Sequence, residues 1–365
     1  MTRSLYLKLQ SWKMSKISID EYFSKHLKPT LSYKDDIYFN KDYARLYGEV
    51  FEFEFCKKGF EFKTIGIKER IENSEFFDLQ SPYGYSGFFC NTCDESFIKE
   101  ALNALHQKAQ SENIIAFFLR FHPFDEALSL YEKYLNFYSV NKKVIIVSTK
   151  STLQEIRSNY SPRIKSYVNK ARKELDLLVV DKENKEDLSE FKSLYDETMR
   201  RNEAESFYFF TQDYFNDFAK FKESLIIKAG FKGKNLAFAS FFLGKDFAYY
   251  HLSANTNEKN ANLACLDYFF ELCSAKGISF ALLGGGVKDD DNLFYYKQRF
   301  STLYTHFHIG GLVFDEKEFT KLTQNTPSKK FLAYRYDKLG GGGYIIFLSA
   351  DILSKILINL IKDKE

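Results

Sequence analysis

Hydrophobic positions along the chain switch between a spacing of three to four and a spacing of two, and the switches outline successive helices and strands. Residues 1–36 read as a helical extension, and Asp42–Tyr47 as a short helix. Glu49–Phe55 and Phe60–Ile67 alternate apolar and polar residues around Lys57-Lys58-Gly59, which predicts a hairpin. A loop punctuated by Pro82, Gly84 and Gly87 follows. Phe97, Ile98, Leu102 and Leu105 then share one face of a helix over Glu95–Asn113, and the apolar runs Ile114–Phe121 and Val144–Ser148 are strands.

A second series repeats this order. Thr152–Lys173 is a basic helical stretch and Leu175–Val180 a strand; Leu188–Asn202 and Gln212–Lys222 are helical. Three apolar strands, Ser224–Phe231, Asn235–Leu243 and Asp246–Leu252, are separated by Lys232-Gly233 and Gly244-Lys245. A helix over Asn262–Lys276 stops at Gly277; Ile278–Leu283 is a buried strand, Leu293–Phe300 a helix and Phe307–Phe314 a strand. This is an α/β (α+β) pattern in two parts, each with a mostly antiparallel sheet flanked by helices. The expected division is 1–36, 37–150, 151–320 and 321–365, the last piece carrying an amphipathic helix over Ile352–Ile361.

Composition narrows the function classes. A length of 365 residues suits two cores, and 45% hydrophobic with 28% charged residues is globular. The charge, 52 − 49 = +3, is too small for a pervasive nucleic-acid field, so an anion site must be local. The five cysteines are an odd number, which favours a reducing compartment, and Cys90-x-x-Cys93 is a lone pair without a zinc pattern. No segment approaches the ~18 apolar residues of a membrane span, and Met1–Lys13 makes a poor signal peptide. A cytoplasmic protein is the expectation, with the terminal helix packing on the body or lying at the inner membrane face.

Several segments together resemble the FemAB superfamily, whose members carry two GNAT-like domains. They are Asp78-Leu-Gln-Ser-Pro-Tyr-Gly-Tyr-Ser-Gly87, Phe118-Leu-Arg-Phe-His-Pro123 and Pro162-Arg-Ile-Lys-Ser-Tyr-Val-Asn-Lys-Ala-Arg172. Tyr249-Tyr-His-Leu-Ser253, Leu282-Leu-Gly-Gly-Gly286 and Phe294-Tyr-Tyr-Lys-Gln-Arg-Phe300 complete the set. The resemblance runs from about residue 37 to 320. It implies two tandem GNAT-like domains, the second catalytic, and an acyltransferase that modifies an amine or hydroxyl of a sugar-containing cell-surface precursor. The donor it implies is a thioester such as acyl-CoA; the alternative is aminoacyl-tRNA used on peptidoglycan precursors. A non-catalytic glycan- or nucleotide-sugar-binding relative is the third reading.

The resemblance associates Lys297 with the active site, where a cation stabilises the oxyanion of acyl transfer. The family's glycine after Phe300 is replaced by Ser301. Otherwise Lys297 and Arg299 are solvated charges with Tyr295 buried. Gly284, Gly285 and Gly286 either present amides to an anion or simply turn the chain ahead of Asp289–Asp291. Arg163 and Lys170, seven apart on one helical face, suit a phosphate-bearing substrate or form a solvated face. His251 can act as a general base or be a structural strand histidine, with Tyr250 beside it and Tyr208 a comparable contact. Tyr83, Tyr85 and Arg120 either face an acceptor or pack a loop fixed by Pro82 and Gly84. The Q/R-x-x-G-x-G/A phosphate loop of acetyl-CoA enzymes corresponds to Lys259-Asn-Ala-Asn262-Leu-Ala264, with Asn at the key glycine. No metal pattern is present in the sequence.

Overall fold

The computed structural model describes residues 16–25, 36–204, 208–286, 292–324, 326 and 330–335. Along the chain come β1 (Ile17–Ser18), α1 (Ile19–Phe23), α2 (Lys41–Arg45), β2 (Glu49–Lys57) and β3 (Phe60–Arg70). Strands β4 (Phe77–Gln80) and β5 (Phe88–Cys90) precede α3 (Glu95–Ser111), β6 (Ile114–Phe121), α4 (Leu128–Tyr131) and β7 (Phe137–Ser148). Then follow α5 (Leu153–Ser158), α6 (Pro162–Glu174), β8 (Asp176–Val179), α7 (Lys185–Arg201) and α8 (Gln212–Lys220). The meander β9 (Ser224–Phe231), β10 (Lys234–Leu243) and β11 (Phe247–Asn255) leads into α9 (Ala261–Ala275) and β12 (Phe280–Gly284). Last are α10 (Asn292–Gln298), β13 (Leu303–Val313) and α11 (Glu316–Thr323).

These elements form two compact units, and the chain passes between them within β7 and again within β13. The division differs from one drawn by element order alone. Residues after Thr305 rejoin the unit of 36–141, because His308–Val313 of β13 pairs antiparallel with Ala116–Phe121 of β6. In that unit β2 and β3 form the expected hairpin, and α3 buries Phe97, Ile98, Leu102 and Leu105 against Phe117 and Leu119. Arg335 lies against the buried Asp78 carboxylate, with Nε at 2.7 Å.

The other unit holds residues 142–305, with 16–25 added through the parallel pairing of Ile17 and Ser18 to Leu303 and Tyr304. Its sheet runs β7-β12-β11-β10-β9-β8. Alternation along β10 feeds both faces. Phe238 stacks on Phe191 of α7 and Phe242 meets Phe218 of α8, whereas Phe241 stacks on Phe269 of α9 at 3.9 Å. The basic stretch expected as a single helix is broken into α5 and α6. Pro162 has no amide for a continuing helix, so it opens a new one behind the Ser161 cap. The expected amphipathic helix over 352–361, the Asp289–Asp291 run and most of the N-terminal extension lie outside the described residues.

Candidate functional site

Strand β11 pairs in parallel with β12 only where Phe247–Tyr249 face Phe280–Leu282. β11 continues to Asn255 while β12 ends at Gly284, so the sheet opens immediately after Tyr249. Lys297 of α10 stands at this opening. It is 6% exposed, its Nζ donates to the Gly285 carbonyl at 2.8 Å, and the same nitrogen lies 5.9 Å from the Tyr250 ring centroid. Tyr295, not Lys297, is the exposed member of the motif; Tyr296 is buried. A lysine this buried is costly unless its charge is used.

The glycines have a steric role. Gly284 closes β12 at φ +74, a region that only glycine adopts readily, and a Cβ on Gly285 would sit 2.4 Å from the Lys143 carbonyl oxygen. Gly285 offers Lys297 its carbonyl, so at this residue the expected amide donor is replaced by an acceptor. Gly285→Ala is expected to lower stability by about 1–3 kcal/mol, because backbone must shift to admit the methyl group. Urea unfolding with an unchanged midpoint would refute the close approach.

Asn262 Nδ2 donates to Tyr296 Oη at 3.2 Å, linking α9 to α10 beside Tyr250. Burial pushes the Tyr250 and Tyr296 hydroxyls above the usual phenol range. Asn262 lies inside the first turn of α9, and the left-handed residues are Asn257, Lys259 and Asn260. The cation kept from the phosphate-loop pattern, Lys259, pairs with Glu174 at 3.0 Å and sits 3.9 Å from the Phe231 ring centroid. These residues do not reproduce the conventional diphosphate grip of a CoA enzyme.

His251 is withdrawn from the site. It follows Tyr250 on β11, so its side chain points to the opposite face, stacked on Phe218 at 5.1 Å and sharing a 2.6 Å hydrogen bond with Tyr214 Oη. Burial pulls its pKa down to about 3, and does the same to His122 in the other unit. The unfolded chain protonates both near pH 6.5, the folded chain only near 3. Their contribution is therefore complete above pH 6.5 and is lost as the pH falls towards 3. Between pH 7 and 5 each is expected to remove about 2 kcal/mol of unfolding free energy. Urea titrations of His251→Gln should show a shallower pH slope than the parent; identical slopes would refute this.

The remaining expected residues are spread across both units. Arg163 is exposed at the start of α6, its Nε donating to Tyr167 Oη at 2.8 Å, and Arg299 is half-buried nearby. Lys170 does not join Arg163, because it is exposed and drawn to Glu174 one turn further along α6. Tyr208 is buried. Tyr83, Tyr85 and Arg120 belong to the other unit. There the Tyr83 carbonyl accepts from Tyr43 Oη, Tyr85 packs on Tyr38 and Phe307, and Arg120 is buried with Nη1 on the Ser81 carbonyl at 2.9 Å. Burial pushes the Cys90 thiol up to about 11, which makes it a poor nucleophile. Among the described residues no group of His, Cys, Asp or Glu gathers to hold a metal, and no helix is long and apolar enough to cross a membrane. Sequence reasoning missed the Asn262–Tyr296 link and Tyr167, whose partners become neighbours only through folding.

No family model matches the sequence, and no curated protein matches it. Solved structures do. The structure of FemX superposes with a TM-score of 0.65 at 12% identity, covering 83% of this chain and 96% of that one. A conserved protein of unknown function from Bacteroides thetaiotaomicron VPI-5482 superposes with a TM-score of 0.52 at 12% identity, covering 76% and 90%. At such identities the likeness is one of fold, and it agrees with the α/β architecture that the sequence resemblance implied. This chain has the fold of FemX.

Proposed function

We propose that this chain is an acyltransferase whose reaction takes place where β11 and β12 part. The observation that carries the reading is the buried Lys297 ammonium, held by the Gly285 carbonyl at the mouth of that opening. An amine or hydroxyl of the acceptor attacks the donor carbonyl, negative charge gathers on its oxygen, and the leaving group departs as that charge collapses. A fixed cation in a water-poor site favours the charged stage over the ground state. The Tyr250 ring, 5.9 Å from Nζ, forms a wall of the same space.

The acceptor is a sugar-containing cell-surface precursor and the donor a thioester, as the sequence resemblance implies. An aminoacyl ester carried on tRNA is the second reading, favoured by the engagement of Lys259 with Glu174 where a CoA enzyme would grip diphosphate. The test incubates the full chain with acetyl-CoA, longer acyl-CoAs or aminoacyl-tRNA, each with amino-sugar nucleotides and peptidoglycan precursors. Mass spectrometry should find one donor class transferring to one acceptor class. No transfer from any donor overturns the proposal.

A further inference from the structure

Most arginines in the described structure meet a carboxylate: Arg45, Arg157, Arg172, Arg200 and Arg335 each pair with Asp or Glu. Arg163 and Arg299 do not. Their side-chain partners are each other's surroundings, namely Tyr167 and Tyr296. The backbone brings the two together, because the Arg299 carbonyl accepts from the Ser161 amide at 2.8 Å, two residues ahead of Arg163. Tyr160 packing on Phe300 at 5.1 Å fixes the same junction.

Three costs of one sign meet here. Arg299 is half-buried without a counter-ion, and burial and the neighbouring Arg163 both disfavour its charge. Arg163 holds its guanidinium against Tyr167, Nε to Oη at 2.8 Å, rather than extending into solvent. The first turn of α6 carries no acidic residue, and the position is taken by a cation that the helix dipole disfavours. A single multivalent anion would remove all three.

We propose that Arg163 and Arg299, braced by Tyr167, clamp a phosphoryl group carried by a substrate of the neighbouring opening. The inference rests on the transferase reading of that opening, since Arg299 follows Lys297 by two residues at the end of the same helix. Two planar guanidinium forks suit the tetrahedral oxygens of a phosphate or diphosphate, whereas one fork already satisfies a carboxylate. The clamp also supplies the grip that the Lys259 loop, engaged with Glu174, does not. A diphosphate on a nucleotide sugar and the phosphates of CoA share this chemistry.

Calorimetric titration of the full chain with inorganic pyrophosphate, UDP and CoA tests the clamp. Pyrophosphate is expected to bind, and to bind Arg163→Gln and Arg299→Gln at least tenfold more weakly. UDP binding tighter than pyrophosphate assigns the group to the acceptor; CoA binding tighter assigns it to the donor. Both variants should melt at the parent temperature or above it, because removing either charge relieves repulsion. Absence of pyrophosphate binding, unchanged affinity in both variants, or a lower melting temperature in either overturns the clamp. Lys297→Met should bind pyrophosphate as the parent does. Binding that is sensitive to both arginines in a chain that transfers nothing would defeat the transferase reading and leave the phosphoryl clamp standing.

Discussion

Lys297→Met is expected to lower the turnover of acyl transfer by about 10²–10³-fold, the effect of removing one preorganised partner of an oxyanion. Methionine keeps the length and much of the volume of lysine and removes only the charge and its donors. Substrate affinity should change little, because the ammonium acts on charge that develops after binding. Folding should also survive. A buried lysine, 6% exposed here, gives way to an apolar side chain, and the lost partner is one 2.8 Å bond to the Gly285 carbonyl. Steady-state kinetics on parent and variant, with melting curves as the control, separate the outcomes. Parental turnover in a folded variant would remove Lys297 from the chemistry.

Asp267→Asn is expected to lower the free energy of unfolding by about 3–5 kcal/mol, the range for breaking a buried ion pair. Asp267 lies fully buried on α9 and gathers several partners. Arg157 grips both carboxylate oxygens, Nε at 2.8 Å; Arg172 approaches at 3.5 Å and also pairs with Glu271; Tyr160 Oη donates at 3.0 Å. This carboxylate ties α5, the junction before α6 and α6 itself to α9. An amide of the same shape leaves the guanidinium of Arg157 facing a neutral group, with little water to replace the charge. Urea denaturation measures the loss, and a change below about 1 kcal/mol would show that the network is dispensable. The arginines it anchors differ from Arg163 and Arg299 in having this carboxylate to meet.

Much of the site was written locally. The run Leu282–Gly286 predicted a strand entering a glycine turn, and Phe294–Phe300 a helix with a cation, because both signals depend on neighbouring residues in the chain. Burial of Lys297 was not legible. Its spacing fits a solvated charge equally well, and the Gly285 carbonyl that holds it becomes a neighbour only when α10 folds back. His251 shows the converse. Its residue type suggested a base, yet strand alternation sends it to the face opposite Tyr250, where Phe218 and Tyr214 enclose it. Arg163 and Lys170 share a helical face by spacing, but Glu174 draws the lysine away and Arg299 supplies the second cation from far along the chain.

The sequence alone determined the secondary elements, the breaks at Pro162 and Gly277, and the α/β class. Backbone propensity, side-chain alternation and turn chemistry act over a few residues, and those residues are adjacent in the chain. Tertiary structure alone decided which unit claims His306–Val313, where β11 leaves β12, and which cations stand without a carboxylate. Each of these depends on segments distant in sequence packing together, and on charges whose cost is set by the neighbours and the water that folding brings or removes.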